Sequence, residues 1–349
     1  MITIRPLKRA LVPVNSETAE RVSAPNYDEF QGDREVWDFI QNQPDCVLKV
    51  TMAHCDFDRF DAILEDGSEA ALERSTDNMA GLVEGAHTRE IEGLLWIYEI
   101  TRPGPQPIRQ IGLGGLGRVD EIRTDSNPDG NIIRNEGIRE PKARGRADLI
   151  RATNAYIGTV NNAIDDTEGK ARAAFEAYAE ARAPDLDLTD EQNNQHRIWY
   201  VTDEADIASF QQLLADEPCA YVADGNHRSA AAAMLNQEEF LTVFFPAQTM
   251  GIFPYNRLVD TPEQPIEDIL NQLKESFEVE PHDGPPLQPE STHTIGFYGA
   301  GSWFRLTPRP GTYDPDNAVE DIDANITQRK IFDDMFGIVD PADKRMTYV

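Results

Sequence analysis

The chain has 349 residues, 40% of them hydrophobic, which is enough for two domains or for one large elaborated domain with a proper core. Its 62 acidic and 32 basic residues give a formal net charge of −30. This charge argues against binding to nucleic acid or to an anionic membrane, because contacts with phosphate need clustered cations. It suits a protein from a salt-loving source, with an ordinary acidic cytosolic protein as the alternative.

The cysteine content and the N-terminus indicate the cellular setting. Cys46, Cys55 and Cys219 are too few and too scattered for a disulfide framework or a zinc site, and Cys219 is expected to be a small core residue. The N-terminus does not resemble a signal peptide, and no segment approaches the ~18 apolar residues of a membrane helix. We therefore expect a protein of the reduced cytoplasm.

Short apolar runs alternate with segments of helical character, which favours an α+β or mixed α/β fold. In the first part of the chain, we predict a strand at 47–52, helix-rich segments within 56–92, strands at 94–100 and from 111, and a turn at 127–130. The middle part is predicted to contain helices at 148–164 and 170–183, a strand at 198–201, a helix at 204–215 and a strand–helix junction at 221–235. For the last part, we predict strands at 240–245 and 251–259, a helix at 266–277, a hairpin at 294–306 and a helix at 321–336 followed by Gly337.

The strand that opens at 111 contains a glycine pattern. Gly112, Gly114 and Gly117 match the G-x-G-x-x-G expression of dinucleotide-binding turns. That motif needs a helix directly after it, whereas residues 118–122 continue as strand and loop. We therefore interpret these glycines as positions of close strand packing.

The junction at 221–235 has the features of an anion site. An apolar run ends at Asp224 and Gly225, and a polar Asn-His-Arg step then opens an alanine-rich helix. Free backbone N–H groups, the positive end of the helix dipole and Arg228 meet there. An ordinary turn with Asp224 as N-cap accounts less well for His227 and Arg228. We interpret the turn as an anion site that fits phosphate best.

A second window, residues 132–146, is the most basic part of this acidic chain. Glu136 within it should stay ionised and could act as a general base towards a hydroxyl. Judged by residue spacing alone, this basic window is expected to be a salt-bridged surface loop. The segment 24–28, judged in the same way, is expected to be an ordinary turn. The Walker loop and the protein-kinase motifs are missing, so phosphoryl transfer would need another architecture.

Together, these windows resemble the free-serine kinase (SerK-like) family, whose long form was catalogued as a domain of unknown function. The family carries a PYD segment, an I-x-x-H-E-x-T … D-R segment and a DGHHR-x-x-A junction, in this order. The matching positions here are Tyr27-Asp28, then Ile133-Arg134-Asn135-Glu136 with Arg146, then Asp224-Gly225-Asn226-His227-Arg228 with Ala231. Residues 251–257 and 336–338 also resemble later family segments, so the similarity runs through nearly the whole chain.

The resemblance implies a nucleotide-binding core like that of ParB and sulfiredoxin at 126–260, between an N-terminal α/β region at 1–125 and a C-terminal α/β region at 261–349. It implies transfer of a phosphoryl group from ADP or ATP, with Mg²⁺, to the hydroxyl of free L-serine. Nucleotide and serine would then be the partners. The sequence leaves the choice of donor, the identity of the acceptor and the oligomeric state open.

The resemblance also implies residue roles. Glu136 would be the general base, His227 would stabilise charge at the phosphate, and Asp224 would help to place the metal or the amino acid. The nucleotide phosphate would be bound by Gly225, Asn226, His227, Arg228 and Arg146. Asn135 and Asn226 stand where the family has histidine. The alternative is a ParB-like nucleotide-binding or nucleotide-hydrolysing regulatory protein without serine kinase activity.

Overall fold

A computed structural model describes residues 1–26, 30–104, 107–135, 137–251, 256–260, 264–340 and 343–348. The chain divides into two compact units, Met1–Gly251 and Ile252–Val349. The division predicted after residue 125 falls within the first unit, whose main sheet takes strands from both sides of it. Among the described residues, no helix has both the length and the apolar character needed to cross a membrane.

Unit Met1–Gly251 is mixed α/β, which confirms the predicted fold class. Its strands are β1 (Ile4–Arg5), β2 (Ala10–Pro13), β3 (Thr88–Ile91), β4 (Leu95–Arg102), β5 (Ile108–Arg118), β6 (Ile132–Ile133), β7 (Val160–Ile164), β8 (Leu186–Thr189), β9 (Gln195–Val201), β10 (Ala220–Asp224) and β11 (Glu239–Pro246). Its helices are α1 (Ser16–Val22), α2 (Asp33–Asn42), α3 (Leu48–Thr51), α4 (Glu69–Glu84), α5 (Glu140–Thr153), α6 (Lys170–Glu180), α7 (Glu204–Ala215) and α8 (Asn226–Met234).

The described part of this unit is organised around a nine-stranded sheet with the order β6-β10-β7-β11-β5-β4-β9-β8, and β1 pairs with β5. The pairs β6–β10 and β7–β11 are parallel, and the other pairs are antiparallel. Helices α6, α7 and α8 contact the sheet through β5, β1 and β7 with β11, respectively. Their apolar side chains, such as Phe175, Phe210 and Ala232, join one buried core with strand residues such as Leu113.

The glycines of β5 lie where neighbouring groups come close to the backbone. A Cβ on Gly114 would be 1.9 Å from Trp96 Cε2, and one on Gly112 would be 2.7 Å from the Phe244 carbonyl oxygen. The strand continues to Arg118, and a short 3-10 turn, Val119–Glu121, follows it. The close-packing interpretation is therefore confirmed, and no helix follows this glycine pattern.

We expect Gly114→Ala to lower the free energy of unfolding by about 1–3 kcal/mol, because the added methyl group would force the Trp96 ring out of its position in the sheet. Urea unfolding followed by tryptophan fluorescence measures the change. Gly81→Ala is the control, since a Cβ there meets nothing within 4 Å. Equal stability of Gly114→Ala and wild type would contradict the close packing.

Two secondary-structure predictions were wrong. The apolar run 47–52, predicted as a strand, forms the short helix α3, because so short a run carries no clear periodicity. The helix predicted at 148–164 begins earlier, at Glu140, and ends at Thr153. Its last predicted residues instead form β7, after Gly158 with φ +85°. Pro141, in the first turn of α5, was the overlooked start signal.

All three cysteines are unpaired: Cys46 and Cys55 are buried, whereas Cys219, predicted as a core residue, is only half-buried. Cys46 and Cys55 belong to a small apolar cluster with Val36, Ile40 and Leu48. Burial, together with the negative charges of Asp33 and Asp66, raises the pKa of the Cys55 thiol to about 12. The thiol is therefore protonated near neutral pH.

Unit Ile252–Val349 contains smaller sheets. Its described elements are β12 (Arg257–Val259), α9 (Ile266–Ser276), β13 (Phe277–His282), β14 (Ile295–Gly299), β15 (Ser302–Pro308), α10 (Asp323–Thr327) and β16 (Met346–Tyr348). Strands β13, β15 and β14 form one sheet, and β12 pairs with β16. The predicted hairpin is confirmed as β14–β15. Helix α10 continues as the π-helical segment Gln328–Asp333, and Gly337 follows with φ +62°.

Candidate functional site

The predicted anion site is a strand–glycine–helix junction, as the sequence indicated. Strand β10 ends at Asp224, Gly225 adopts a left-handed conformation with φ +100°, and α8 begins at Asn226. Gly225 is the N-cap and has no side chain with which to accept from the first-turn N–H groups. The positive end of the α8 dipole is therefore arranged as in sites that bind anions.

Arg228 lies directly over this turn. Its side chain is 13% exposed, and its Nη2 pairs with Asp224 Oδ2. The buried Nε has no hydrogen-bond partner within the protein. A Cβ on Gly225 would lie 3.0 Å from that Nε, so the glycine leaves room for the guanidinium beside the backbone. A largely buried donor thus faces the helix start, where an anion would complete its hydrogen bonding.

The parallel pairing of β6 with β10 brings the second predicted motif to this turn. Ala220 and Tyr221 are in register with Ile132 and Ile133, so the segments that follow the paired residues run in the same direction. In those segments, Asn226 Nδ2 donates to Asn135 Oδ1 at 2.7 Å. Two residues 91 positions apart in sequence are therefore in direct contact, and Asn226 is 3% exposed.

His227 accepts a hydrogen bond from the segment that follows the second motif. The backbone N–H of Arg139 donates to His227 Nε2 at 3.0 Å. Because Nε2 accepts, the ring proton of the neutral imidazole is on Nδ1 in this arrangement. Any hydrogen bond from this ring to an anion would then come from Nδ1.

Helix α5 carries the basic residues of the window and packs against α8. Small buried side chains on both helices, including Ala143, Ala147 and Ala231, allow the close approach. Arg146 of α5 and Arg228 of α8 both line a small cavity of about 20 Å³. The structure therefore brings together the two arginines that the resemblance assigned to the phosphate.

A much larger cavity of about 860 Å³ adjoins the small one, since Arg146 and Leu149 line both. Its volume is in the range of small-molecule sites. The cations Lys142, Arg144 and Arg146 belong to its wall. The lining also includes residues around α3 and α4 for which the sequence predicted no site, among them His54, Asp66 and Ser75.

Three predicted elements of the site lie outside the described residues: Glu136, the Tyr27-Asp28 pair and most of the segment 251–257. Gly158, by contrast, was missed. It has φ +85°, and a Cβ there would lie 3.4 Å from Arg228 Cδ. An isolated glycine just before a strand is a sequence sign of a turn. It was overlooked because the predicted helix at 148–164 ran across this position.

The carboxylate of the turn that a magnesium ion would contact is that of Asp224. Asp224 is 57% exposed, and one of its oxygens is paired with Arg228. In the described part of the chain, no cluster of three metal-binding side chains includes Asp224. Mg²⁺ usually binds through one or two carboxylates together with substrate phosphates and water. Asp224 fits such a role as a single protein ligand.

Comparison with known proteins gives a family and no closer relative. No curated protein and no solved structure matches the chain significantly. The model of a family described as proteins of unknown function, DUF1015, matches residues 4–325, which include the basic window and the Asp224–Arg228 turn. The chain therefore belongs to the DUF1015 family.

Proposed function

We propose that this protein is a small-molecule phosphotransferase that transfers a phosphoryl group from ADP or ATP to the hydroxyl of free L-serine. The observation that carries the proposal is the contact between Asn135 and Asn226 at 2.7 Å. It joins the motif that contains the candidate base, Glu136, to the candidate phosphate-binding turn. Phosphoryl transfer needs positioned reactants and stabilised charge more than covalent chemistry, so such a junction is its main requirement.

The cations support a role in binding phosphate. Arg228 presents an unpartnered Nε beside the start of α8, and Arg146 lines the same small cavity. In a chain with a net charge of −30, this local positive character sets the turn apart from the acidic remainder. We assign Arg228, Arg146 and the first-turn N–H groups to the nucleotide phosphates, and the Nδ1–H of His227 to the transferring group.

The large cavity supports a bound nucleotide. Its volume of about 860 Å³ accommodates a nucleoside diphosphate, and α5 supplies cations to its wall. We assign the nucleotide to this cavity, with Arg146 as the residue shared with the phosphate turn. Bound Mg²⁺ would supply charge neutralisation to the phosphates, and Asp224 would be its protein ligand.

In this mechanism, the carboxylate of Glu136 accepts the proton of the serine hydroxyl as the oxygen bonds to phosphorus. The leaving nucleotide takes the electron pair of the broken P–O bond. The hydrogen bond between Asn135 and Asn226 joins the motif of the base to the turn, at two positions where the family has ionisable histidines. On the resemblance, we also propose that the sheet around β10 and α8 corresponds to a ParB/sulfiredoxin-like core.

The activity is tested by incubating the protein with L-serine, Mg²⁺ and either ADP or ATP at high salt. We expect O-phosphoserine, detected by mass spectrometry, with one of the donors. Glu136→Gln should abolish the product and leave nucleotide affinity nearly intact, because the base is needed for chemistry alone. Arg228→Ala should lower both product formation and nucleotide affinity, the latter at least tenfold.

Arg151→Ala is the matched control. Arg151 is on the same helix as Arg146, pairs with Asp148 at the surface and is 64% exposed. Its loss should leave nucleotide affinity and product formation unchanged. Nucleotide binding without product from either donor would refute the kinase proposal and favour the regulatory alternative. Equal, small effects of Glu136→Gln and Arg228→Ala would contradict the roles assigned to them.

A further inference from the structure

A second cluster of reactive side chains includes His54, which lines the large cavity assigned to the nucleotide but has no role in the proposed transfer. It consists of Asp33, the first residue of α2, with His54 and Cys55 of the 3-10 turn Ala53–Cys55. One carboxylate oxygen, one imidazole nitrogen and the thiol sulfur all lie within 4.8 Å of one another. Within the described ranges, no other group of three such residues is this close.

The separation between the nitrogen and oxygen donors is close to that in a metal site. His54 Nε2 is 3.2 Å from Asp33 Oδ1. In tetrahedral zinc sites, bonds of roughly 2.0–2.2 Å to nitrogen and oxygen place these two atoms about 3.3–3.5 Å apart. His54 is 2% exposed and Cys55 is fully buried, whereas the Asp33 side chain is 52% exposed. An ion would therefore enter past Asp33 and meet two donors that are already ordered.

The other ring nitrogen of His54 has the partner that metal-binding histidines usually have. His54 Nδ1 is 3.4 Å from Asp66 Oδ1. Without an ion, Nε2 can hydrogen-bond to the Asp33 carboxylate only by donating, so a metal must displace that proton from Nε2. The Asp66 carboxylate is placed to accept from Nδ1–H once Nε2 binds the metal.

We propose that Asp33, His54 and Cys55 form a binding site for a divalent transition-metal ion, with Zn²⁺ as the best match to one oxygen, one nitrogen and one sulfur donor. Mg²⁺ and Ca²⁺ are excluded because they prefer oxygen ligands alone. Binding forms a metal–sulfur bond and releases the thiol proton to solvent, without a change of oxidation state. Three protein ligands leave a fourth position for water or another ligand.

Cobalt is the probe for this site, because a Co²⁺–thiolate bond gives an intense charge-transfer band in the near ultraviolet. The many surface carboxylates can also bind Co²⁺, but they do not produce this band. We expect the chelator-treated protein, titrated with Co²⁺ at high salt, to develop the band up to one ion per chain. Zn²⁺ added afterwards should remove it by displacement.

Two variants and a control decide the outcome. Cys55→Ser should lose the band, and Asp33→Asn should bind Co²⁺ at least tenfold more weakly. Cys46→Ser, which removes another buried thiol of the same apolar cluster, should retain the band at wild-type affinity. The half-exposed Asp33 side chain makes its variant informative even where Cys55→Ser does not fold. Absence of the band in wild type, or wild-type affinity in Asp33→Asn, would overturn the proposal.

Discussion

Replacing Glu99 by alanine is expected to lower the free energy of unfolding by about 3 kcal/mol. Glu99 is on β4 and is 1% exposed. Its Oε2 accepts from Arg109 Nε at 2.6 Å, and its Oε1 pairs with Arg197 on the neighbouring strand. Removing the carboxylate leaves two guanidinium groups close together beside the sheet. The Arg109 and Arg197 side chains are each about one third exposed or more, so they can turn partly towards water. The expected loss of unfolding free energy is therefore at the lower end of the range for broken buried ion pairs.

Glu176→Ala is the matched control, since Glu176 is another partner of Arg109, at 3.3 Å, but is more exposed. Its loss should cost less than about 1 kcal/mol. Urea unfolding at low and high salt measures both variants. The Glu99→Ala loss should persist at high salt, whereas the small Glu176→Ala loss should shrink, because only the more exposed pair is screened. A Glu99→Ala protein as stable as wild type would contradict a structural role for the buried pair.

Replacing Gly225 by alanine should impair both the fold and the proposed phosphate site. A φ of +100° is strained for alanine, which costs about 1–3 kcal/mol of unfolding free energy. The new Cβ would also lie 3.0 Å from Arg228 Nε and 3.1 Å from the Val160 Cα. Because the guanidinium must move, we expect nucleotide affinity to fall at least tenfold, as measured by calorimetric titration.

The control for this change is Gly81→Ala within α4, which is not in the lining of the large cavity. A Cβ on Gly81 meets nothing within 4 Å, and alanine is the better helix former, so stability should rise by up to about 1 kcal/mol. Its nucleotide affinity should stay within twofold of wild type. If Gly225→Ala is destabilised but binds nucleotide like wild type, then the turn is not where the phosphates bind.

The strand–turn–helix at 220–234 was predictable because its determinants are local. An apolar run, an Asp-Gly step and an alanine-rich segment each restrict the backbone without help from distant residues. The segments 47–52 and 160–164 were not predictable in this way. Their side chains suit either helix or strand, and the outcome depends on what they pack against: α4 in the case of α3, and β10 with β11 in the case of β7.

The candidate site was predicted only as separate pieces. The sequence identified Asp224–Arg228 and the basic window, and the resemblance assigned them to one family of enzymes. It did not indicate that α5 begins at Glu140, which places Lys142, Arg144 and Arg146 on a helix rather than in a loop. Nor did it connect His54 with Asp33 and Asp66, which come from segments up to 33 residues apart and show no metal-binding spacing.

By itself, the amino-acid sequence determined the mixed α/β character, the glycine-containing turn before α8 and the local concentration of basic residues. These depend on backbone propensity and on charge, which act over a few neighbouring residues. Only the tertiary structure decided that β6 and β10 run side by side, that Asn135 contacts Asn226 and that two arginines from different helices line one cavity. Strand pairing and helix packing join residues far apart in sequence, and the free energy that selects one pairing comes from the whole buried core.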